Sequence, residues 1–268
     1  MTSVGIATGA GRGMGLACAR RLSTMVDTLF LVDRDEETVT AAAKDLGAEP
    51  FVLDVTDREG LARLAALVAE NGTLRAVAHA AGISPTMADW RRILTVDLVG
   101  TALLADALRP LATEGTAMVC FASMAPLLAG VQPDPAVAEI LDDPLDPEFL
   151  DRLRDALGPV LENSGAAYAW AKHGVHRLVR REATRLGPVG ARICSVSPGI
   201  IDTPQGQQEA ASHESMARFV QQTPLGRTGQ PDEVAAAVAF ALSADASFLS
   251  GVDLLVDGGL CAAVSATR

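Results

Sequence analysis

Thr8–Gly15 reads TGAGRGMG, and it falls between a short apolar run, Val4–Thr8, and an Ala- and Leu-rich stretch, Met14–Ser23. Glycines at 9, 13 and 15 let the backbone turn sharply and come close to a pyrophosphate, where a side chain would clash. A helix opening at Met14 presents unpaired N–H groups and a partial positive charge to such an anion. Arg12 adds a guanidinium at the rim. A glycine-rich turn alone is only a turn, but between a strand and a helix it predicts a dinucleotide-binding unit.

Asp33 ends the next apolar run, Thr28–Asp33, about twenty residues on, where an acidic group accepts hydrogen bonds from ribose hydroxyls. A carboxylate there repels a 2′-phosphate and selects NAD over NADP. Arg12 and Arg34 can each meet a 2′-phosphate, so NADP stays as the alternative. Further strand candidates are Pro50–Leu53, Leu74–Ala80, Ala117–Ala122, Arg192–Ser197 and Asp253–Asp257. Helical patterns between them cover Asp35–Leu46, Asp57–Glu70, Ala88–Leu111, Ala166–Leu186 and Pro231–Leu242. Apolar strands without period-2 alternation, separated by helices, imply a parallel sheet covered on both faces. No linker or repeat divides the chain. The expected fold is α/β: a single-domain, Rossmann-type, doubly wound parallel sheet with helices on both faces, spanning residues 1–268.

With 49% hydrophobic and 21% charged residues, the chain has the composition of an ordered protein. Its net charge of −11 argues against nucleic acid and against an anionic membrane surface. Gly115–Pro133 is uncharged and long enough to span a bilayer, but Pro126 and Gly130 interrupt it, and its front half reads as a buried strand. Cys18, Cys120, Cys194 and Cys261 lack metal-ligand spacing and read as free thiols in a reducing compartment. Met1 leads straight into the glycine turn without a secretory pattern, which points to the cytoplasm. No metal site is expected: His173 and His176 lack a matching ligand set.

Residues 126–163 break the rhythm. This stretch holds six prolines, and nine acidic residues against two arginines give it a charge of −7. The spacing of Phe149, Leu150, Leu153, Leu157 and Leu161 predicts at least one amphipathic helix. The stretch is either a solvated excursion or a lid or interface element.

Tyr168 is the sole tyrosine, and Lys172 is one of two lysines, four residues on along a predicted helix. That spacing puts both on one face. A free tyrosine, with a pKa of about 10, is a poor base near neutrality; an adjacent ammonium stabilises the phenolate. Ser123 ends the fifth strand, at the edge where open α/β sheets bind ligands, and can orient a substrate oxygen towards the tyrosine.

TGAGRGMG, Asp33, Asp54-Val55, His79-Ala80-Ala81-Gly82, Ser123, Tyr168-x-x-x-Lys172, Pro198-Gly199 and Val256-Asp257-Gly258-Gly259 together resemble the short-chain dehydrogenase/reductase family over nearly the whole chain. The resemblance implies an alcohol–ketone oxidoreductase with Tyr168 as acid/base, Lys172 as its partner and ribose ligand, and Ser123 as substrate anchor. It implies that Asp54 and Val55 contact adenine and that Ala80, Ala81 and Gly82 line the cofactor path. Pro198–Thr203 would lie at the nicotinamide end, with Ile201 and Thr203 on the carboxamide. The substrate would be a small-molecule alcohol or ketone, Gln205–Thr223 a substrate lid, and the assembly a homo-oligomer (dimer or tetramer).

Two features depart from the family pattern. Asp97, in TVDLVG, stands where the family has asparagine, whose backbone carbonyl holds a water in the proton relay. Aspartate has that carbonyl too, but a buried carboxylate near Lys172 can trap the ammonium in an ion pair. The acidic stretch resembles an insertion of the bacterial 3α-hydroxysteroid dehydrogenase/carbonyl reductase subgroup, which suggests a hydroxysteroid or other bulky cyclic substrate. An NADP-dependent ketoreductase and a non-catalytic dinucleotide-binding sensor or scaffold are the alternatives.

Overall fold

The computed structural model describes residues 2–212 and 214–266, with the backbone alone at 209–212 and 214–216. Its strands are β1 (Ser3–Thr8), β2 (Thr28–Asp33), β3 (Glu49–Val52), β4 (Thr73–His79), β5 (Ala117–Phe121), β6 (Arg192–Pro198) and β7 (Asp253–Val256). They form one sheet in the order 3-2-1-4-5-6-7, every pair parallel. The first helices are α1 (Gly13–Leu22), α2 (Glu36–Leu46), α3 (Arg58–Asn71), α4 (Trp90–Leu94), α5 (Gly100–Leu108) and α6 (Ala125–Ala129). There follow α7 (Pro135–Asp142), α8 (Phe149–Leu157), α9 (Ser164–Leu186), α10 (Pro204–Ser212), α11 (Glu214–Gln222), α12 (Pro231–Leu242) and α13 (Leu260–Ala266). Strand order reverses between β1 and β4, so a crevice opens there, outside the strands' carboxyl ends.

The apolar strands are explained by burial on both faces. On one side α3, α5 and α9 pack Leu61, Leu64, Leu104, Leu108, Val175 and Val179 against Val4, Ile6, Val77 and Met118. On the other, α1, α2 and α12 pack Cys18, Leu22, Val39, Val234 and Val238 against Ala7, Leu31, Ala78 and Val119. Burying each such Leu, Ile, Val or Met side chain stabilises the fold by about 1.5–3 kcal/mol. No helix among the described residues is long and apolar enough to cross a membrane; Gly115–Pro133 supplies β5 and α6 instead.

Two stretches differ from expectation. The helix read over Ala88–Leu111 is α4 and α5 joined by a wide π turn, Thr95–Val99, which holds Asp97 at its centre. Apolar periodicity does not resolve one inserted residue per turn, and such turns gather at functional sites. After the end of α6 the acidic stretch forms α7 and α8, and it is core as much as surface. Val137, Ile140, Leu141, Phe149, Leu153 and Leu161 are buried in the cluster that includes α9. Arg177 of α9 grips Asp142 through two hydrogen bonds of 2.8 and 2.7 Å, and Arg91 of α4 reaches Asp151 at 2.8 Å. The carboxylates that give the segment its charge lie along its outer side and at these two clasps.

Candidate active site

The glycine turn is built for close approach. Gly9 has φ +64°, and a Cβ there would stand 2.9 Å from the Ala80 carbonyl carbon and the Ala81 nitrogen. A Cβ on Gly15 would stand 2.1 Å from the Gly9 carbonyl oxygen. The turn therefore lies flat on the segment just past β4 and on the start of α1. Arg12, the N-cap residue of α1, makes no side-chain capping bond. The first N–H groups of the helix are thus left uncapped by their own chain, as a phosphate site requires.

The cleft in front of them is lined by Gly9, Arg12, Gly13, Met14, Gly15, Asp33, Arg34, Asp54, Val55, Ala80, Ala81, Gly82 and Thr203. All were expected there. Asp33 is fixed at both oxygens, accepting the Gly11 N–H at 3.0 Å and the Asp35 N–H at 3.1 Å. Arg12 and Arg34 are exposed at the rim. Asp54 accepts the Thr56 N–H and hydroxyl at 2.9 and 2.7 Å and the Arg92 guanidinium at 2.6 Å. Burial works against its charge, but these three donors hold the carboxyl below its ordinary value. Arg92 lines the same cleft, and sequence reading missed it, since nothing local links position 92 to position 54. An uncapped helix end, a flat glycine turn and an anchored acid at the end of β2 fit a nicotinamide dinucleotide.

A second cavity, of about 450 Å³, meets the first at Met14, Ala80, Gly82, Ile83, Thr203 and Gln205. Ser123, Tyr168 and Lys172 line it, and so do Pro198, Gly199 and Ile201. These last three line this cavity rather than the first cleft, because β6 lies beyond the crevice and its end reaches the seam from the far side. Thr203 borders both. Apart from Ser123, Tyr168, Lys172, Thr203 and Gln205, the wall is apolar side chains and glycines, among them Met124, Leu128, Ile200 and Phe219.

Ser123 is held by its neighbours. The Ala122 and Met124 N–H groups donate to the Val196 and Pro198 carbonyls of β6 at 2.8 and 3.3 Å. Its Oγ accepts the Ala125 N–H at 3.1 Å, and the hydroxyl proton remains to donate. Tyr168 and Lys172 stack on α9, with Nζ 5.6 Å from the ring centroid. Lys172 is buried and donates to the Phe121 carbonyl at 3.1 Å. Asp97 is fully buried; its Oδ1 accepts the Ile83 N–H at 2.8 Å and lies 3.8 Å from Lys172 Nζ. That separation exceeds a hydrogen bond, so Lys172 is not trapped in a tight pair.

Beneath the seam a buried chain of hydrogen bonds ties β1, β4 and α5 together. The Ala81 N–H donates to Thr8 Oγ1 at 3.1 Å, and Thr8 Oγ1 pairs with His79 Nδ1 at 2.7 Å. His79 Nε2 pairs with Thr101 Oγ1 at 2.9 Å, and Thr101 donates to the Asp97 carbonyl at 2.8 Å. Since Thr101 spends its proton on Asp97, it must accept from Nε2–H. Burial and the nearby Lys172 charge push the His79 pKa to about 3, so the ring is neutral and Nδ1 accepts from the Thr8 hydroxyl.

A family model described as enoyl-(acyl carrier protein) reductase matches residues 9–136 and 157–261. The unmatched gap lies inside the acidic stretch. Over 273 residues the chain is 31% identical to a cis-4-hydroxycyclohexanecarboxylate dehydrogenase of Sinomonas cyclohexanicum, covering 97% of this chain and 96% of that protein. It is 26% identical to the 3-alpha-hydroxysteroid dehydrogenase/carbonyl reductase of Comamonas testosteroni, covering 99% of both chains. A crystal structure of a short-chain, glucose/ribitol-type dehydrogenase from Brucella melitensis superposes with TM-score 0.76 at 27% identity, covering 97% of this chain and 96% of that one.

Proposed function

The chain belongs to the short-chain dehydrogenase/reductase family, and on that premise we propose that it is an NAD-dependent enzyme acting on a bulky, apolar, cyclic secondary alcohol or ketone, of which a hydroxysteroid is one candidate. That it is an oxidoreductase of alcohols and ketones follows from its family and its relatives. The observation that carries the finer reading is the contrast within the second cavity. One polar corner of Ser123, Tyr168 and Lys172 faces walls that are otherwise almost wholly apolar. Among the described residues Lys172 is the one cation lining that cavity, and it is buried with one N–H on the Phe121 carbonyl. A carboxylate-bearing ring of the kind named for the Sinomonas relative would find no guanidinium there and only that buried ammonium. A polyol would leave hydroxyls unpaired against Leu128, Ile200 and Phe219, at about 1–3 kcal/mol each. A cavity of this size suits a compact multi-ring molecule.

A bound nicotinamide supplies or accepts the hydride. Everything else falls to the chain. Ser123 donates its hydroxyl proton to the substrate oxygen and fixes its direction. In ketone reduction Tyr168 gives its phenolic proton to that oxygen as charge develops on it; in alcohol oxidation the phenolate takes the proton back. The Lys172 ammonium favours the phenolate, and the apolar walls exclude water from the reacting atoms. Gln205 and Phe219, on the paired helices α10 and α11, close the cavity on one side and fit a lid. Asp33, locked by two backbone N–H groups at the end of β2, supports NAD, since a 2′-phosphate would meet a fixed negative charge. Exposed Arg12 and Arg34 favour the second reading, an NADP-dependent enzyme. The four cysteines are buried and free, which suits a cytoplasmic home, and family analogy favours a dimer or tetramer.

NADH and NADPH consumption should be measured against a panel of steroid ketones, simple cyclic ketones, oxocyclohexanecarboxylates and ketoses, with Tyr168→Phe as control. NADH-dependent reduction of the apolar ketones is expected. In the mutant it should fall by about 10²–10⁴-fold while NADH binding stays. Preference for NADPH, or turnover confined to the carboxylates and sugars, would sink the finer reading.

A further inference from the structure

Asp97 Oδ2 is the one buried side-chain polar atom among the described residues without a hydrogen-bond partner. The residue is 0% exposed, and its other oxygen takes a single hydrogen bond, from Ile83. Lys172 stands beside it and donates to the Phe121 carbonyl, not to Asp97. A carboxylate and an ammonium left to pair close to about 2.7–2.9 Å; here they stay at 3.8 Å. A Cβ on Gly82 would lie 2.8 Å from Asp97 Oδ1 and 3.3 Å from Lys172 Nζ. Acid and ammonium thus flank the glycine at which the two cavities meet.

We propose that Asp97 is a positioning residue held as an uncharged carboxylic acid, which leaves the charge of Lys172 undiminished for Tyr168. The proposal rests on the reading of Tyr168 as acid/base and Lys172 as its partner. A fully buried anion with one donor is far costlier than a neutral acid with one oxygen unpartnered. The surroundings agree. Around the pair stand Tyr168 from α9, His79 from β4 and Cys120 from β5. Burial and Lys172 hold His79 neutral, and burial pushes the Cys120 thiol up to about 12. Lys172 is the cation among them, and among the described residues it is the one charged group that acts on Asp97. Burial likewise raises the Asp97 carboxyl above its ordinary value, with Lys172 and the Ile83 N–H pulling less strongly the other way. An ionised Asp97 would cancel much of the ammonium's field and make the Tyr168 phenolate harder to form. A neutral acid offers Ile83 the same carbonyl acceptor as an amide and costs the ammonium nothing.

Because Tyr168 is the sole tyrosine, the ultraviolet absorbance of tyrosinate in the cofactor-free protein titrates one known group. Asp97→Asn should leave its ionisation constant within about a factor of two, while Lys172→Met should weaken it more than tenfold. The wild-type infrared spectrum near neutral pH should show the carbonyl stretch of a protonated carboxyl, lost in Asp97→Asn. Absence of that band, or a Tyr168 titration at least tenfold more acidic in Asp97→Asn, would overturn the proposal. A titration that ignores Lys172→Met overturns the reading of Lys172 on which it rests. The infrared band needs neither Tyr168 nor turnover, so it distinguishes that failure from a charged Asp97. It also needs no variant, should Asp97→Asn fold poorly.

Discussion

The cleft at Gly9–Gly15 is made of backbone, and the cavity beside it is made of side chains. In the first, glycines bring the main chain against Ala80 and Ala81 just past β4, and the acids at its edge are aligned by the backbone N–H groups of Gly11, Asp35 and Thr56. In the second, Met124, Leu128, Ile200 and Phe219 come from α6, the segment after β6, and α11, and are joined only by the fold. A backbone site tolerates few residue types at fixed offsets, whereas a side-chain cavity can be lined by almost any apolar set. The first should therefore fail sharply on substitution, with effects confined to the cofactor. The second should change by degrees, with effects confined to the substrate.

Replacing Asp33 with alanine tests the sharper side and should give the larger effect. The charge-assisted hydrogen bonds lost to the ribose are worth about 1.5–3 kcal/mol, so NADH should bind about 10–100-fold more weakly by fluorescence titration. NADPH, relieved of a repelling carboxylate, should bind no more weakly than before. Equal weakening of both cofactors would mean that Asp33 only braces the Gly11 turn. On the other side, Phe219→Ala removes an aromatic wall. It should lower kcat/KM for an apolar ketone by about tenfold, as 1–3 kcal/mol of pocket contact implies, with the NADH dissociation constant unmoved. A change in cofactor affinity would erase the division between the two cavities.

The same division explains what could be read from the sequence. TGAGRGMG, Asp33, Ser123 and the Tyr168–Lys172 pair were legible because each is fixed by spacing relative to a strand or helix, and the strands announced themselves by being apolar throughout. Arg92, Phe219 and Leu128 were not, since each is an ordinary residue on an ordinary helix until the chain folds. Asp97 was legible as a departure, but its wide turn and its unpartnered oxygen are three-dimensional facts. The acidic stretch was seen as amphipathic, yet charge counting hid how much of it is core: Phe149, Leu153 and Leu161 are buried despite nine acidic neighbours.

His79 joins the two regions from below, and its neutrality gives the smallest and most specific effect. Folded, it stays neutral down to about pH 3, against an ordinary value of 6.5. The unfolded chain therefore binds one more proton in the window between, so this residue's contribution to stability falls as the pH falls through that window. From pH 7 to pH 6 the loss is about 0.7 kcal/mol. Asp97, its carboxyl raised by burial, acts with the opposite sign, because the folded state then holds the extra proton and stability falls as pH rises. In the wild type the two oppose each other, and a flat pH profile would say little. The difference between wild type and His79→Gln isolates the histidine: urea unfolding at pH 7 and pH 6 should show that difference shrinking by about 0.7 kcal/mol at the lower pH. The variant will be less stable at both, since Thr8 and Thr101 lose a well-placed partner, but that constant cancels. Parallel behaviour of the two proteins would mean that His79 takes a proton in the folded state, with Nδ1–H then donating to Thr8 Oγ1.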